Sequence, residues 1–160
     1  MTISAGERIP KAQLTIMGSN GPTPVASDEL LGQGLTVLFA VPGAFTPTCS
    51  AQHLPGFVEQ AAAFKERGVD QIVGMAVNDI FVMDAWAEAG GAKAALTVAA
   101  DGNGEFTKAL GLEMDASAFG MGQRCQRFAM IIRDGQVEKV FVEGPGEFRV
   151  SSAEHVLEQL

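Results

Sequence analysis

The chain has 160 residues, 47% apolar and 19% charged, which suits one domain with its own core and excludes a disordered segment. Nineteen acidic against eleven basic residues leave a formal charge of −8, which opposes nucleic-acid backbones and anionic membrane surfaces. The densest apolar run, LTVLFAV, is far shorter than the roughly 18 to 20 residues that cross a bilayer, and the N-terminal segment has no signal-like apolar stretch, so the expected address is cytoplasmic.

In chain order, residues 12–17 read as a short strand, SNGPTP as a turn-rich stretch and DELLG as a brief helix. Leu35–Val41 is continuously apolar and β-branched enough for a strand buried on both faces, and Pro42, Gly43 and Pro47 end it in a tight loop. From Thr48 onward Leu54, Phe57, Val58, Ala61 and Phe64 recur at helical spacing until Gly68, which puts Cys49 in the first helical turn and predicts a kink at Pro55. There follow a strand at 71–77, a helix at 80–89 capped by Asn78 or Asp79, a strand at 96–99 and a helix at 105–110. Glycines crowd residues 111–122. Strands at 127–133 and 137–142 are then joined by Asp134-Gly135, a hairpin signal, and Ser151 with Glu154 forms a capping box for a closing helix to Leu160. Alternating strands and helices ending in a hairpin predict an α/β domain over residues 1–160, a mixed central sheet covered by helices.

Several motifs are excluded. Each GxG lacks the third glycine of a dinucleotide fingerprint, and there is no Walker sequence, GxSxG or HExxH. Residues 101–105 resemble the start of a calcium loop, but Phe106 and Leu112 stand where its glycine and glutamate belong, so a capped turn is the better reading. Two histidines, His53 and His155, and two cysteines, Cys49 and Cys125, offer neither a zinc array nor a disulfide framework.

The segment Pro42-Gly-Ala-Phe-Thr46-Pro-Thr-Cys49 is different, because three features converge on one thiol. An isolated cysteine is only about 3% thiolate at neutral pH, whereas amides at a helix start favour the anion. Thr46 carries a hydroxyl able to turn toward the sulfur, and Pro42 and Pro47 stiffen the loop and keep water partly away.

PGAFTPTCSAQHLPGF resembles the active-site segment of peroxiredoxins, thiol peroxidases on a thioredoxin-like fold. VNDIFVMDAW, AADGNGEF, GMGQRCQRFAMIIRDGQV and VFVEGPGEF, in that order, resemble the type II or fifth (atypical) subfamily nearly end to end. The resemblance implies Cys49 as the peroxidatic cysteine, Thr46 as the hydroxyl that binds the peroxide, Pro42 as the ring shielding the thiolate and Arg127 as the guanidinium completing the pocket. From the residues alone Arg124 and Arg127 compete evenly for that last role, and the match to RxxRF selects Arg127. The implied substrates are H2O2 and organic hydroperoxides, with no metal, haem, flavin or nicotinamide cofactor, and the implied assembly is a homodimer.

Regeneration departs from the family pattern. Subfamily members often resolve the sulfenic acid with a second cysteine in the strand matching residues 73–75 or near the last helix, and this chain has Gly74 in the first place and none at 150–152. The implied reductant is external, glutathione with glutaredoxin or thioredoxin. Cys125, two residues before Arg127 and on the same face if the backbone is extended, is either a resolving or redox-sensing thiol or an incidental buried one. His53, four residues after Cys49, reads as a structural histidine or a tuner of the loop, and Phe45 and Phe119 as core residues or walls of a pocket or interface. Set against the peroxidase is a redox-sensing binding protein that uses Cys49 oxidation as a switch. A disulfide reductase lacks its CxxC, Thr46 standing in the place of the other cysteine.

Overall fold

The computed structural model describes residues 2–47 and 52–160, so Cys49 lies outside the described residues. Strand β1 (Gln13–Gly18) pairs antiparallel with β2 (Gly21–Ala26), and a four-residue helix α1 (Ser27–Leu30) leads into β3 (Leu35–Val41). Helices α2 (Leu54–Glu59) and α3 (Ala61–Glu66) precede β4 (Gln71–Ala76), α4 (Ile80–Ala89), β5 (Thr97–Ala100) and α5 (Glu105–Leu110). A small hairpin of β6 (Glu113–Asp115) and β7 (Gln123–Cys125) comes next, then β8 (Phe128–Arg133), β9 (Gln136–Val142) and α6 (Ala153–Glu158). Among the described residues the main sheet has the order β2-β1-β5-β4-β3-β8-β9, parallel across β5-β4-β3 and antiparallel outside, the expected mixed sheet flanked by helices.

Period-two alternation distributes the central strands between two apolar layers. Val37, Phe39 and Val41 of β3 join Phe57, Phe64, Met83 and Trp86 on one face, while Leu38 and Ala40 join Leu14, Phe106, Leu110 and Phe128 on the other. All seven residues of β3 are buried, as its unbroken apolar run predicts. Gly74 of β4 lies opposite Phe39 in the parallel register, and a Cβ at position 74 would come within 2.8 Å of the Phe39 ring. The β8–β9 turn is as predicted: Asp134 (φ 49°) and Gly135 (φ 81°) both take the left-handed backbone of a type I′ hairpin.

Four expectations are corrected. Part of the turn-rich stretch is strand β2, tolerated because Pro22 and Pro24 sit on an edge strand at the same parity, with their missing donors away from β1. Pro55 occupies the second position of α2, where its missing N–H costs little; the irregularity is a π turn at Gln52–His53 just before it and a further break at Gln60. The glycine-rich stretch holds the β6–β7 hairpin and a short 3₁₀ turn, Ser117–Phe119. The cap of α6 is Ser152, whose hydroxyl accepts from the His155 N–H; Ser151 is buried and donates to Glu143 instead. Of the two candidates for α4, Asp79 is the cap, accepting from the Val82 N–H. Asp101 confirms the capped turn, its carboxylate accepting from Phe106 N, Thr107 N and Thr107 Oγ1.

Candidate active site

The adjacent parallel strands β3 and β4 end side by side, Val41 opposite Ala76, so the loops that follow them share one rim of the sheet. Asn78 joins the two: its side-chain oxygen accepts from the Ala44 N–H at 2.9 Å. In the loop after β3, Pro42 is half-buried, Phe45 takes a left-handed backbone (φ 65°), and the Thr46 hydroxyl donates to the Gly43 carbonyl at 2.7 Å. That bond engages the hydroxyl proton and leaves the Thr46 oxygen able to accept. Beyond residues 48–51 the described chain continues with Gln52 and His53.

Both arginines approach this rim, by different attachments. Arg124 donates from Nε to the Met121 carbonyl at 2.8 Å and from Nη1 to the Val77 carbonyl at 3.2 Å, so it ties two loops together. Arg127 sits between β7 and β8 with its Nη1 2.9 Å from His53 Nδ1 and its guanidinium carbon 5.8 Å from the centre of the Phe148 ring. His53 is fully buried, in contact with the rings of Phe39, Phe57 and Phe148, and its Nε2 is 2.9 Å from the Ser151 carbonyl. Burial first, and then the Arg127 charge, push its imidazole down to about 3, so the ring is neutral. Of the predicted site residues, Pro42 and Thr46 thus lie on the loop leading into Cys49, and Arg127 is fastened to a residue four positions beyond it. Residues 48–51 themselves, Cys49 with them, lie outside the described residues.

Cys125 and Arg127 do not share a face, because the strand is interrupted between them. Cys125 ends β7, is fully buried in the α5-side layer, and its thiol donates to the Val41 carbonyl at 3.0 Å. Arg127 points to the opposite layer, where His53 packs tilted against the stacked rings of Phe39 and Phe57. Phe45 and Phe119 are not core residues: they are 53% and 80% exposed, and Phe81 at the start of α4, which the sequence did not single out, is 68% exposed. Glu143 and Phe148 lie in VFVEGPGEF and Ser151 in the predicted capping box, but no local signal ties any of them to His53 or Arg127. Among the described residues no cluster of three or more His, Cys, Asp or Glu could hold a metal ion, and no helix is long and apolar enough to cross a membrane.

A strand-end loop that leads in sequence to Cys49, with an arginine fastened to His53 four residues beyond it, is in keeping with a thiol enzyme on a thioredoxin-like sheet, and comparison with known proteins agrees. Residues 4–157 match the Redoxin family. The chain is 44% identical to Peroxiredoxin-2B of Arabidopsis thaliana, the match covering 99% of this chain and 98% of that protein. Reduced Prx3 of Vibrio vulnificus in complex with H2O2 superposes with a TM-score of 0.95 at 48% identity, covering 99% of each chain. The antioxidant protein of Plasmodium falciparum, a 1-Cys peroxiredoxin, does so with a TM-score of 0.92 at 31% identity over 98% of each chain. The chain belongs to the redoxin family and, within it, to the peroxiredoxins of the type II or fifth group. It is an oxidoreductase, a thiol-dependent peroxidase.

Proposed function

We propose that Cys49 is the nucleophile that reduces H2O2 and organic hydroperoxides, with Thr46, Arg127 and Pro42 as its catalytic surroundings. The observation that carries this assignment is the His53–Arg127 contact, which fastens a permanent cation to the segment leaving Cys49 while Thr46 sits on the segment entering it. In the reaction the Cys49 thiolate attacks one peroxide oxygen, an S–O bond forms as the O–O bond breaks, and the departing oxygen takes a proton to leave as water or alcohol. Thr46 accepts from the peroxide proton, and Arg127 stabilises the thiolate and the charge building on both oxygens. Pro42 shields the sulfur from water.

Turnover uses one cysteine of the chain. A second thiol at position 74 is excluded by the Phe39 ring, and Cys125 is buried with its thiol turned to a backbone carbonyl. An external thiol, glutathione with glutaredoxin or thioredoxin, condenses with the sulfenic acid, releasing water, and a further thiol frees Cys49. Such reductants belong to the reducing cytoplasm. The working assembly is a homodimer of the single domain: Phe45, Phe81 and Phe119 are exposed on segments that touch one another, and apolar surface of that kind is suited to a second copy.

The test is peroxide consumption by the wild type, Cys49→Ser and Cys125→Ser with each reductant system supplied separately, together with intact mass after one equivalent of H2O2. Loss of turnover in Cys49→Ser alone, with a sulfenic or glutathionylated Cys49 trapped, supports the one-cysteine reading. Loss of two hydrogens in the wild type together with failure of Cys125→Ser makes Cys125 the resolving thiol. Stoichiometric oxidation without turnover under either system makes Cys49 a sensor.

A further inference from the structure

Arg127 is held by a closed cycle of hydrogen bonds that passes through three residues remote from it in sequence. Its own carbonyl accepts from the Glu143 N–H at 3.0 Å. Glu143, 7% exposed as a residue, uses one carboxylate oxygen to take three donors: Arg149 N at 2.7 Å, Ser151 N at 2.8 Å and Ser151 Oγ at 2.7 Å. These bonds fold residues 149–151 so that the Ser151 carbonyl meets His53 Nε2 at 2.9 Å, and His53 Nδ1 meets Arg127 Nη1 at 2.9 Å. Backbone and side chain of Arg127 are therefore fixed by the same circuit.

The chemistry of the partners leaves one arrangement. A guanidinium only donates and a carbonyl only accepts, so His53 must accept at Nδ1 and donate from Nε2, the neutral Nε2–H tautomer. Either the other tautomer or an imidazolium would set an N–H against the guanidinium. The surrounding rings of Phe39, Phe57 and Phe148 fix the imidazole plane, and Phe148 also lies against the guanidinium, so aromatic packing and the hydrogen bonds select the same orientation. A cation that must meet a transition state gains most when its direction is set before substrate arrives.

We propose that Glu143 and Ser151, acting through His53, are positioning residues that aim Arg127 at the reacting sulfur and peroxide. This rests on the assignment of Arg127 made above. Glu143 contributes the fold of the 149–151 turn, Ser151 the carbonyl that sets the His53 tautomer, and His53 the lone pair that takes an Arg127 N–H.

The experiment compares His53→Leu, His53→Gln, Glu143→Gln and Arg127→Lys for kcat/KM toward H2O2, for the pH dependence of Cys49 alkylation, and for thermal midpoint. Expected are a loss on the order of 100-fold in His53→Leu, a smaller loss in Glu143→Gln, an alkylation profile displaced to higher pH in both, and substantial recovery in His53→Gln, whose amide can accept from Arg127 and donate to Ser151. In an Arg127→Lys background Glu143→Gln adds little. Nitrogen-15 spectra of the wild type, which need no variant to fold, should show His53 as the Nε2–H tautomer. Wild-type rates and alkylation profiles in His53→Leu and Glu143→Gln while Arg127→Lys is slow would overturn the positioning inference alone. A wild-type rate in Arg127→Lys overturns the assignment of Arg127 and the inference with it. An Nδ1–H tautomer overturns the inference directly.

Discussion

Thr46 shows how far a single side chain can be read from its neighbours. Its hydroxyl proton is already committed to the Gly43 carbonyl, so in the proposed reaction it would serve as an acceptor, a role that requires a hydroxyl in that place. Thr46→Val, which keeps the shape and removes the oxygen, is expected to lower kcat/KM toward H2O2 by about 10² to 10³-fold, the scale of losing one preorganised transition-state contact; Thr46→Ser should retain most of the rate, and steady-state assays of both decide it. The proposed Pro42, Thr46 and Cys49 set can be picked out in the sequence because its spacing is local. The partner of Arg127 cannot be, since His53 lies 74 positions away and meets it only when α2 and the β7–β8 link are brought together. Ser151 was read as a cap because serine followed three residues later by glutamate is a common helix start. Its burial against Glu143 depends on a contact eight residues upstream that no helix signal reports.

At the scale of elements, periodicity and breakers located β3, α4, α5 and the β8–β9 hairpin, and failed where proline and glycine were taken as interruptions rather than as edge or hairpin residues. β2 is an edge strand whose prolines turn their missing donors away from β1, and β6–β7 is too short for alternation to show. The packing of β3 on β4 makes a firmer prediction. With only 2.8 Å between a Cβ at position 74 and the Phe39 ring, Gly74→Ala must displace an aromatic stacked against Phe57 and touching His53. Urea unfolding should show a loss of about 1 to 3 kcal/mol, and an unchanged midpoint would mean that the Phe39 ring moves aside at little cost.

For the whole molecule, two buried groups set the acid limit. The unfolded chain protonates His53 below about 6.5 while the folded chain resists until about 3, so stability from this residue is complete above 6.5 and is lost on the way down at about 1.4 kcal/mol per pH unit. Burial acts to raise the Glu143 carboxyl, but donors from Ser151, Arg149 and Val150 outweigh it and hold it below its ordinary 4.5, so a second loss begins as pH falls below that value. Urea midpoints measured from pH 8 to 4 should therefore fall from about 6.5 downward, and His53→Gln should flatten the upper part of that fall; a flat wild-type profile between 6.5 and 4.5 would show that His53 titrates alike in both states. Assembly is read from sedimentation: Phe119→Ser combined with Phe81→Ser should shift the chain toward monomer, and an unchanged sedimentation coefficient places the subunit contact elsewhere. The acidic balance and the mixed central sheet were visible in composition and alternation, whereas the joint exposure of Phe45, Phe81 and Phe119 was not, because ten phenylalanines scattered through an apolar chain look alike until the core is filled.

The close fit of Phe39 over Gly74 also imposes an order on change. A side chain cannot grow at position 74 until the ring at position 39 has shrunk, and shrinking that ring alone opens a void beside His53. A lineage carrying this packing would meet a stability trough on either single step toward a second cysteine at that place, so the one-cysteine turnover proposed above is a state the core itself would make hard to leave.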